Sequence, residues 1–391
     1  MYMVSMPMKK PQTLSQDQVI VPASKQNYME VRHLVLQGSD REIGLALGDY
    51  ARNKLGVEKL EPYRDPIYGR ARQEYLGNNF PALLDRSRGV ADAYGLEAGE
   101  TRFDTTSLVY DFASFGCSAI FFPPDATVNG HPLVARNLDW YIVSAREMTT
   151  GKSLPNDPNM MSRSFLAEFY PESGFASIQT TATDFLNFPH DGVNEHGLFS
   201  TVLVDQQGPG EPIPLTGGQD SGLNDMQVIA LLMNKCKTVE EAKIVLLQNR
   251  IYMPFEAMHW LIADAAGSST IFEIDGKSGQ YYFIDGEPGK PQVVTNHAIH
   301  RYPNVDTFPN VDPKASYNSF IRYRHLVDSI NSHQGKFSVD DCFKIISEVF
   351  GRADDAEEVG GQNPLPMRTL WTLVMDLADR NIAIKYFLRD D

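Results

Sequence analysis

The sequence is short of cysteine, of positive charge and of long apolar runs. Its 391 residues hold three cysteines, Cys117, Cys236 and Cys342. An odd, small number of widely spaced thiols makes neither a disulfide framework nor a zinc site. Lysine and arginine number 35 against 50 aspartates and glutamates, a formal net charge of −15. Nucleic-acid binders neutralise phosphates with a basic patch, and anionic membranes attract basic segments, so neither partner is expected. No run approaches the ~20 apolar residues of a membrane helix. At the N-terminus the basic pair Lys9-Lys10 follows a short apolar stretch, with no apolar core behind it. That is not a secretory signal, and a soluble, cytoplasmic protein is the expectation. There is no phosphate-cradling glycine loop, no Walker pattern and no His/Cys cluster at zinc spacing, so no cofactor and no metal are expected.

What is present is an ordinary globular balance of 42% hydrophobic and 22% charged residues, enough for one large domain or two ordinary ones. Residues 1–28 are polar, with scattered proline and glutamine, and are expected to be loosely ordered. From there to Gly116 the apolar spacing predicts mainly helix: over 43–54, over 82–94 with Gly95 as its stop, and over 105–115. After Gly116 the pattern changes. Strands are predicted over 118–122, 165–169, 176–181, 198–204, 258–263, 270–274, 281–284 and 292–295. Asn129-Gly130 marks a hairpin turn after the first of them, since type I′ turns need positive φ at both central residues. Helices are predicted over 226–234, from Thr238 with Glu241 as a capping box, over 317–330, and over 338–350 with Ser338 and Asp341 as a second box. The chain closes on a predicted hairpin, 370–377 and 382–387. Strands come in runs and helices in runs, without βαβ alternation, which predicts an α+β layered fold. Cys236 follows an apolar run and Cys342 lies in a helical pattern; both read as inert buried thiols.

Cys117 is set differently. It follows Gly116 directly and opens the predicted buried strand Ser118-Ala119-Ile120-Phe121-Phe122. Past the Asn-Gly turn comes Ala135-Arg136-Asn137-Leu138-Asp139-Trp140. A hairpin brings Arg136 and Asp139 beside Cys117. A guanidinium near a thiol favours the thiolate, the attacking species, and a carboxylate there can hold a protonated amine. The same residues also read as a buried strand cysteine near a local Arg136–Asp139 ion pair.

Gly-Cys-Ser at 116–118, paired with Arg-Asn-Leu-Asp at 136–139, resembles the linear-amide C–N hydrolases. These are N-terminal-nucleophile hydrolases and include choloylglycine (bile salt) hydrolases, penicillin V acylases, acid ceramidase and isopenicillin-N acyltransferase-like proteins. Three later segments are similar in the same order: 190–198 (HDGVNEHGL), 259–264 followed by Gly267 and Glu273, and Val294-Thr295-Asn296-His297.

The resemblance implies a four-layer αββα sandwich over 117–391, preceded by a mainly helical pro-segment over 1–116. It implies that the Cys117 thiol attacks the Gly116 carbonyl and cuts the chain, leaving Cys117 as an N-terminal nucleophile. The pro-segment would stay on as a heterodimer partner. The freed α-amine, with an ordinary pKa of about 7.7–8.0, would be the base for its own thiol. Asp139 would orient that amine, and Arg136 would set the charge around sulfur. Asn296, with a backbone N–H near Val204, would form the oxyanion hole.

Supporting roles fall to Asp205 as an ion-pair partner of Arg136, to Ser319 and Arg322 as a Ser/Arg patch, and to Trp140 at the acyl pocket. Loops 143–162 and 205–224 would build that pocket. Asn194 reads as a turn residue, and His259 and His297 as core or rim histidines. The implied substrate is a small linear amide or acyl donor, with the choice between water and an amine as acceptor left open. Two other readings stay open: an uncleaved thiol hydrolase or transferase assisted by His190 or His297, and a non-catalytic binding protein on the same fold.

Overall fold

The computed structural model describes residues 1–5, 15–111, 116–186, 189–205, 222–253, 257–309, 318–351 and 365–390. Among these, two large sheets carry most of the strands. The first comprises β1 (Tyr2–Ser5), β4 (Gly116–Phe122), β5 (Leu133–Tyr141), β15 (Gln292–Val294), β16 (Met367–Asp376) and β17 (Asn381–Tyr386), in spatial order β1-β17-β16-β5-β4-β15. The second comprises β2 (Ser15–Val21), β3 (Glu30–Gly38), β6 (Arg163–Pro171), β7 (Ser177–Thr181), β8 (Asp191–Asn194), β9 (Phe199–Val204), β12 (Met258–Ala263), β13 (Ser269–Ile274) and β14 (Tyr281–Asp285). Its order is β14-β13-β12-β9-β8-β7-β6-β3-β2, antiparallel except where β3 runs parallel to β6. A small parallel pair, β10 (Leu223–Asn224) with β11 (Ile251–Tyr252), stands apart.

Helices lie against both sheets. α7 (Ser319–Ser332) packs on β15, and α8 (Val339–Ser347) on β4, β5 and β16. α5 (Val228–Lys235) packs on β8 and β9, α6 (Val239–Leu247) on β12, and α1 (Asp40–Tyr50) on β3. α2 (Pro66–Asn79) and α3 (Pro81–Ala93) complete the layer before Gly116, and the short α4 (Ala145–Thr150) follows β5. The two sheets meet through β4 and β9.

β4 is buried at every residue because both its faces are covered. Side chains alternate across a strand, and the alternation splits β4 between two cores. Cys117, Ala119 and Phe121 point into the main core between the sheets. Ile120 and Phe122 join a second core with Cys342, Phe343, Ile345 and Ile346 of α8. β5 follows suit: Val134, Leu138 and Trp140 belong to the inner core, Leu133 and Ala135 to the outer one. Arg136 shares the inner parity, and Asn137 and Asp139 the outer.

Several expectations change. Residues 1–28 are not loosely ordered where described; they supply β1 and β2. The segment before Gly116 is helical only in part, because β3 lies within the second sheet. Of the helix expected over 105–115, residues 105–111 form turns and a bridge, and 112–115 fall outside the described residues. β4 and β5 do pair antiparallel, from Gly116↔Asp139 to Phe122↔Leu133. Their connection, however, is the wider stretch 123–132 with a short 3-10 turn at Pro124–Ala126. Gly130 has φ +71 but Asn129 is not at positive φ, so the turn is not type I′. Thr238 caps α6 through the Glu241 N–H, while the Glu241 carboxylate takes the Lys237 N–H instead of closing the box. The Ser338–Asp341 box and the closing hairpin form as expected.

Candidate active site

The site is built where the middle strands of the first sheet meet β9 of the second. Cys117 is fully buried, and its two ends face different partners. On the sulfur side, Arg136 Nη2 donates to Sγ at 3.4 Å, and Sγ lies 3.9 Å from the Val202 carbonyl. The cross-strand match Ala119↔Arg136 places the guanidinium on the sulfur's face, two residues along. On the nitrogen side, the Cys117 N–H donates to Asn296 Oδ1 at 2.8 Å. Arg322 Nη2 also donates to Asn296 Oδ1, at 2.7 Å, while its Nη1 reaches the Cys117 carbonyl and Ser118 Oγ. Asn296 Nδ2 donates to the Val204 carbonyl at 2.8 Å. Two donors on one atom and an acceptor opposite the other fix the amide's orientation.

Asn296 is held from behind. It lies just past β15, after Thr295, and its own N–H donates to Ser319 Oγ at 2.8 Å. Ser319 is the first residue of α7, one turn before Arg322, so one helix start supports Asn296 twice. Further along, the Glu273 carboxylate accepts the N–H groups of Ile299 (2.8 Å) and His300 (2.9 Å) and bonds His259 Nδ1 (2.9 Å) and His300 Nδ1 (2.7 Å). This knot ties the chain beyond Asn296 to β13. Burial pulls His259 towards neutrality, but Glu273 and Asp205 act together against it and the net shift is upward.

Asp139 is buried on the other face of β5, opposite Gly116, and accepts a hydrogen bond from Thr369 Oγ1. Burial raises its pKa, with Arg322 and the Thr369 bond acting against that rise. Burial likewise pushes the Cys117 thiol up to about 12, although Arg136 pulls it down.

The structure thus gathers Cys117, Arg136, Asp139, Asn296, Ser319 and Arg322 around Gly116. Val204 is beside Asn296, but through its carbonyl. Trp140 is buried on the sulfur's face, its ring 5.0 Å from that of Tyr141. One expectation is corrected: Arg136 pairs with Asp191, Nε to Oδ1 at 3.0 Å, not with Asp205. Asp205 lies beside His259 and Glu273 instead, with ligand atoms of the three within 4.8 Å. The Glu273 carboxylate there is already saturated by the bonds above, so the cluster reads as a structural knot. Asn194 ends β8 and holds the turn that follows: its side chain donates to the carbonyls of Met233 and Cys236 and accepts from the N–H groups of His196 and Leu198. His297 stacks on Phe320, and burial lowers its pKa to about 3. His190 is packed edge-on against Trp371, and burial holds it neutral. Neither bonds the sulfur, whose partners are Arg136 and Val202. Most of the predicted rim loop 205–224 falls outside the described residues.

Sequence reasoning missed Asp191, Thr201, Trp371 and Thr369. Asp191 stood within the quoted 190–198 segment, but nothing local linked it to Arg136. β16 carries a bulge between Thr369 and Trp371, where Thr369 opposes Asp139 and Trp371 opposes Leu138. A one-residue slip moves a side chain to the other face. Trp371 therefore turns inward onto Arg136, its ring 5.4 Å from the guanidinium carbon, while Thr369 stays outward on Asp139.

Residues 127–386 match the model of the family described as acyl-coenzyme A:6-aminopenicillanic acid acyl-transferase. The chain belongs to this family. It is therefore a member of the N-terminal-nucleophile linear-amide hydrolase superfamily. The match includes Arg136, Asp139 and Asn296 and begins after Cys117. No curated protein matches the sequence. Among solved structures the chain is similar to penicillin V acylase from Agrobacterium tumefaciens (18% identity, 69% of this chain and 82% of that one, TM-score 0.45). It is also similar to a variant of conjugated bile acid hydrolase from Clostridium perfringens (15%, 69% and 89%, TM-score 0.45). A third is the Caenorhabditis elegans ortholog of N-acylethanolamine-hydrolyzing acid amidase (12%, 67% and 93%, TM-score 0.43). No helix among the described residues is long and apolar enough to cross a membrane.

Proposed function

We propose that this family member is a self-cleaving cysteine enzyme that opens a linear amide C–N bond through an acyl-thioester on Cys117. The observation that carries the reading is the convergence on both ends of one residue: Arg136 at the Cys117 sulfur, Asn296 and Arg322 at its nitrogen and carbonyl. A cysteine that only fills core needs none of these charged and polar partners.

In the continuous chain the nucleophile is latent. Its thiol is pushed up to about 12 by burial, and the Cys117 nitrogen is an amide with no basic lone pair. For cleavage, Sγ adds to the Gly116 carbonyl carbon, which no Cβ obstructs. The C–N bond breaks, the thiol proton passes to the leaving nitrogen, and water hydrolyses the thioester. The products are a Gly116 carboxylate and a free Cys117 amine, which then serves as base for its own thiol. Asp139 beside Gly116 is the group that receives and orients this amine.

In turnover the sulfur attacks the substrate carbonyl carbon. Asn296 Nδ2 turns from the Val204 carbonyl to the oxyanion, and the substrate amine departs with the proton held by the Cys117 amine. Water or a second amine then takes the acyl group. Residues 1–116 stay bound to 117–391 as a second chain. The substrate is a small-molecule amide or acyl donor, in keeping with a family named for acyl transfer and similar structures named for acylase, hydrolase and amidase activity.

Intact mass under denaturing conditions tests this, with the wild type beside Cys117→Ala. The expected result is two fragments meeting at Gly116/Cys117 in the wild type and one uncut chain in the variant. A single uncut chain in both would remove the free-amine base and sink the reading.

A further inference from the structure

The Arg136 guanidinium is buried beside a thiol with which it makes only one long contact, so something else fixes its aim. Its Nε donates to Thr201 Oγ1 (3.1 Å) and lies 3.0 Å from Asp191 Oδ1 in a buried ion pair. Its face is covered by Trp371. Asp191 is itself clamped: Oδ1 accepts from Thr201 Oγ1 (2.7 Å), and Oδ2 from Thr180 Oγ1 (2.8 Å) and Trp371 Nε1 (3.1 Å). Asp191, Thr180 and Thr201 come from the second sheet, while Trp371 reaches them across the interface because of the bulge in β16. With Nε occupied and the ring face covered, the guanidinium cannot swing Nη2 away from the sulfur.

We propose that Asp191 and Trp371 are positioning residues that act through Arg136 to keep the Cys117 thiol ionisable. This rests on the thiol chemistry proposed above. Two effects of Asp191 oppose each other, and their signs separate them. As a bare negative charge it disfavours the thiolate, so neutralising it would speed thiol reactions whether or not Arg136 is present. As an anchor it holds Arg136 on the sulfur, so removing it slows them, and only where Arg136 is there to be misplaced. The clamp predicts the second.

The test is the carbamidomethylation rate of Cys117 by iodoacetamide at a fixed pH of about 8, just below the ordinary thiol pKa, read from the Cys117 peptide mass. Asp191→Asn is expected to slow it about tenfold, one pKa unit. In an Arg136→Gln background the same change is expected to give no slowing, only the acceleration that a lost negative charge brings, a coupling that additive damage would not produce. Trp371→Phe keeps both buried charges and is expected to slow the reaction less, about threefold, with the melting temperature retained. It decides alone if an uncompensated variant fails to fold. Acceleration by Asp191→Asn alone, equal slowing in both backgrounds, or an unchanged rate in Trp371→Phe overturns the inference, as does a wild-type thiol that never reacts. Failure of the enzyme reading is seen separately, as a Cys117→Ala protein that still turns over amide.

Discussion

The chain before Gly116 and the chain after it share both sheets but divide the work. Among the described residues, every side chain bonded to Cys117, Arg136, Asp139 or Asn296 comes from the later segment. The earlier segment supplies adhesion. β1 lies at the edge of the first sheet on β17, and β3 pairs with β6 from Glu30↔Arg163 to Gly38↔Pro171. Tyr75 bonds Asn249, and Arg163 bonds the carbonyls of Leu55 and Tyr110. A cut at Gly116–Cys117 breaks none of these. The lesson is that one peptide bond can be spent on chemistry when the fold across it is held by sheet ladders and core.

The largest effect that tests this division is on the later segment. Asn296→Ala removes the proposed oxyanion donor and the acceptor of the Cys117 N–H together. We expect kcat for amide turnover to fall about 10²–10³-fold, the cost of one such donor, with self-cleavage slowed in parallel and the two segments still co-purifying. Turnover unchanged within threefold would move the oxyanion site elsewhere.

A middle-sized effect belongs to the earlier segment. α1 and α3 cross so closely that a Cβ on Gly89 would lie 2.0 Å from the Arg41 carbonyl oxygen, and one on Gly44 equally near that of Arg86. Gly89→Ala must push the helices apart, an overpacking cost of about 1–3 kcal/mol. We expect a lower denaturant midpoint with kcat per folded molecule unchanged. A fall in kcat at full occupancy would mean that the earlier segment reaches the chemistry after all.

The same division explains what could be read from the sequence. Most strands after Gly116 were legible because they are short apolar runs buried on both faces, as in Gly-Cys-Ser-Ala-Ile-Phe-Phe. The grouping of Cys117, Arg136, Asp139 and Asn296 was legible because each stands in a short motif: Cys117 at the start of β4, Arg136 and Asp139 together within β5, and Asn296 just past β15. β1 was not, since its partner β17 lies at the other end of the chain and its own pattern is short. α2 was missed although Asp65-Pro66 is a good helix start, Asp65 capping the Ile67 N–H and proline following it. Asp191 and Trp371 were out of reach for a different reason. Their meeting depends on a bulge and on contact between two sheets, and neither leaves a local pattern.

The smallest effect concerns pH, again in the earlier segment. Hydrogen bonds from the Arg102 side chain, joined by its backbone N–H, hold the Glu100 carboxyl down to about 2. The ordinary glutamate value is about 4.3. A folded-state pKa below the unfolded one stabilises above the unfolded value, and that stability is lost as pH falls towards the folded one. The window is therefore about pH 4.3 down to 2. Arg102 is 68% exposed at its side chain, so the pair is screened by solvent and contributes little. Glu100→Gln is expected to flatten slightly the acid limb of the denaturant midpoint in that window. Its rate of self-cleavage at neutral pH is expected to match the wild type, because Glu100 lies on the adhesive side of Gly116. An acid limb of unchanged slope would show that Glu100 is equally acidic in the unfolded chain, and a slower cut would place it in the machinery that the later segment otherwise holds alone.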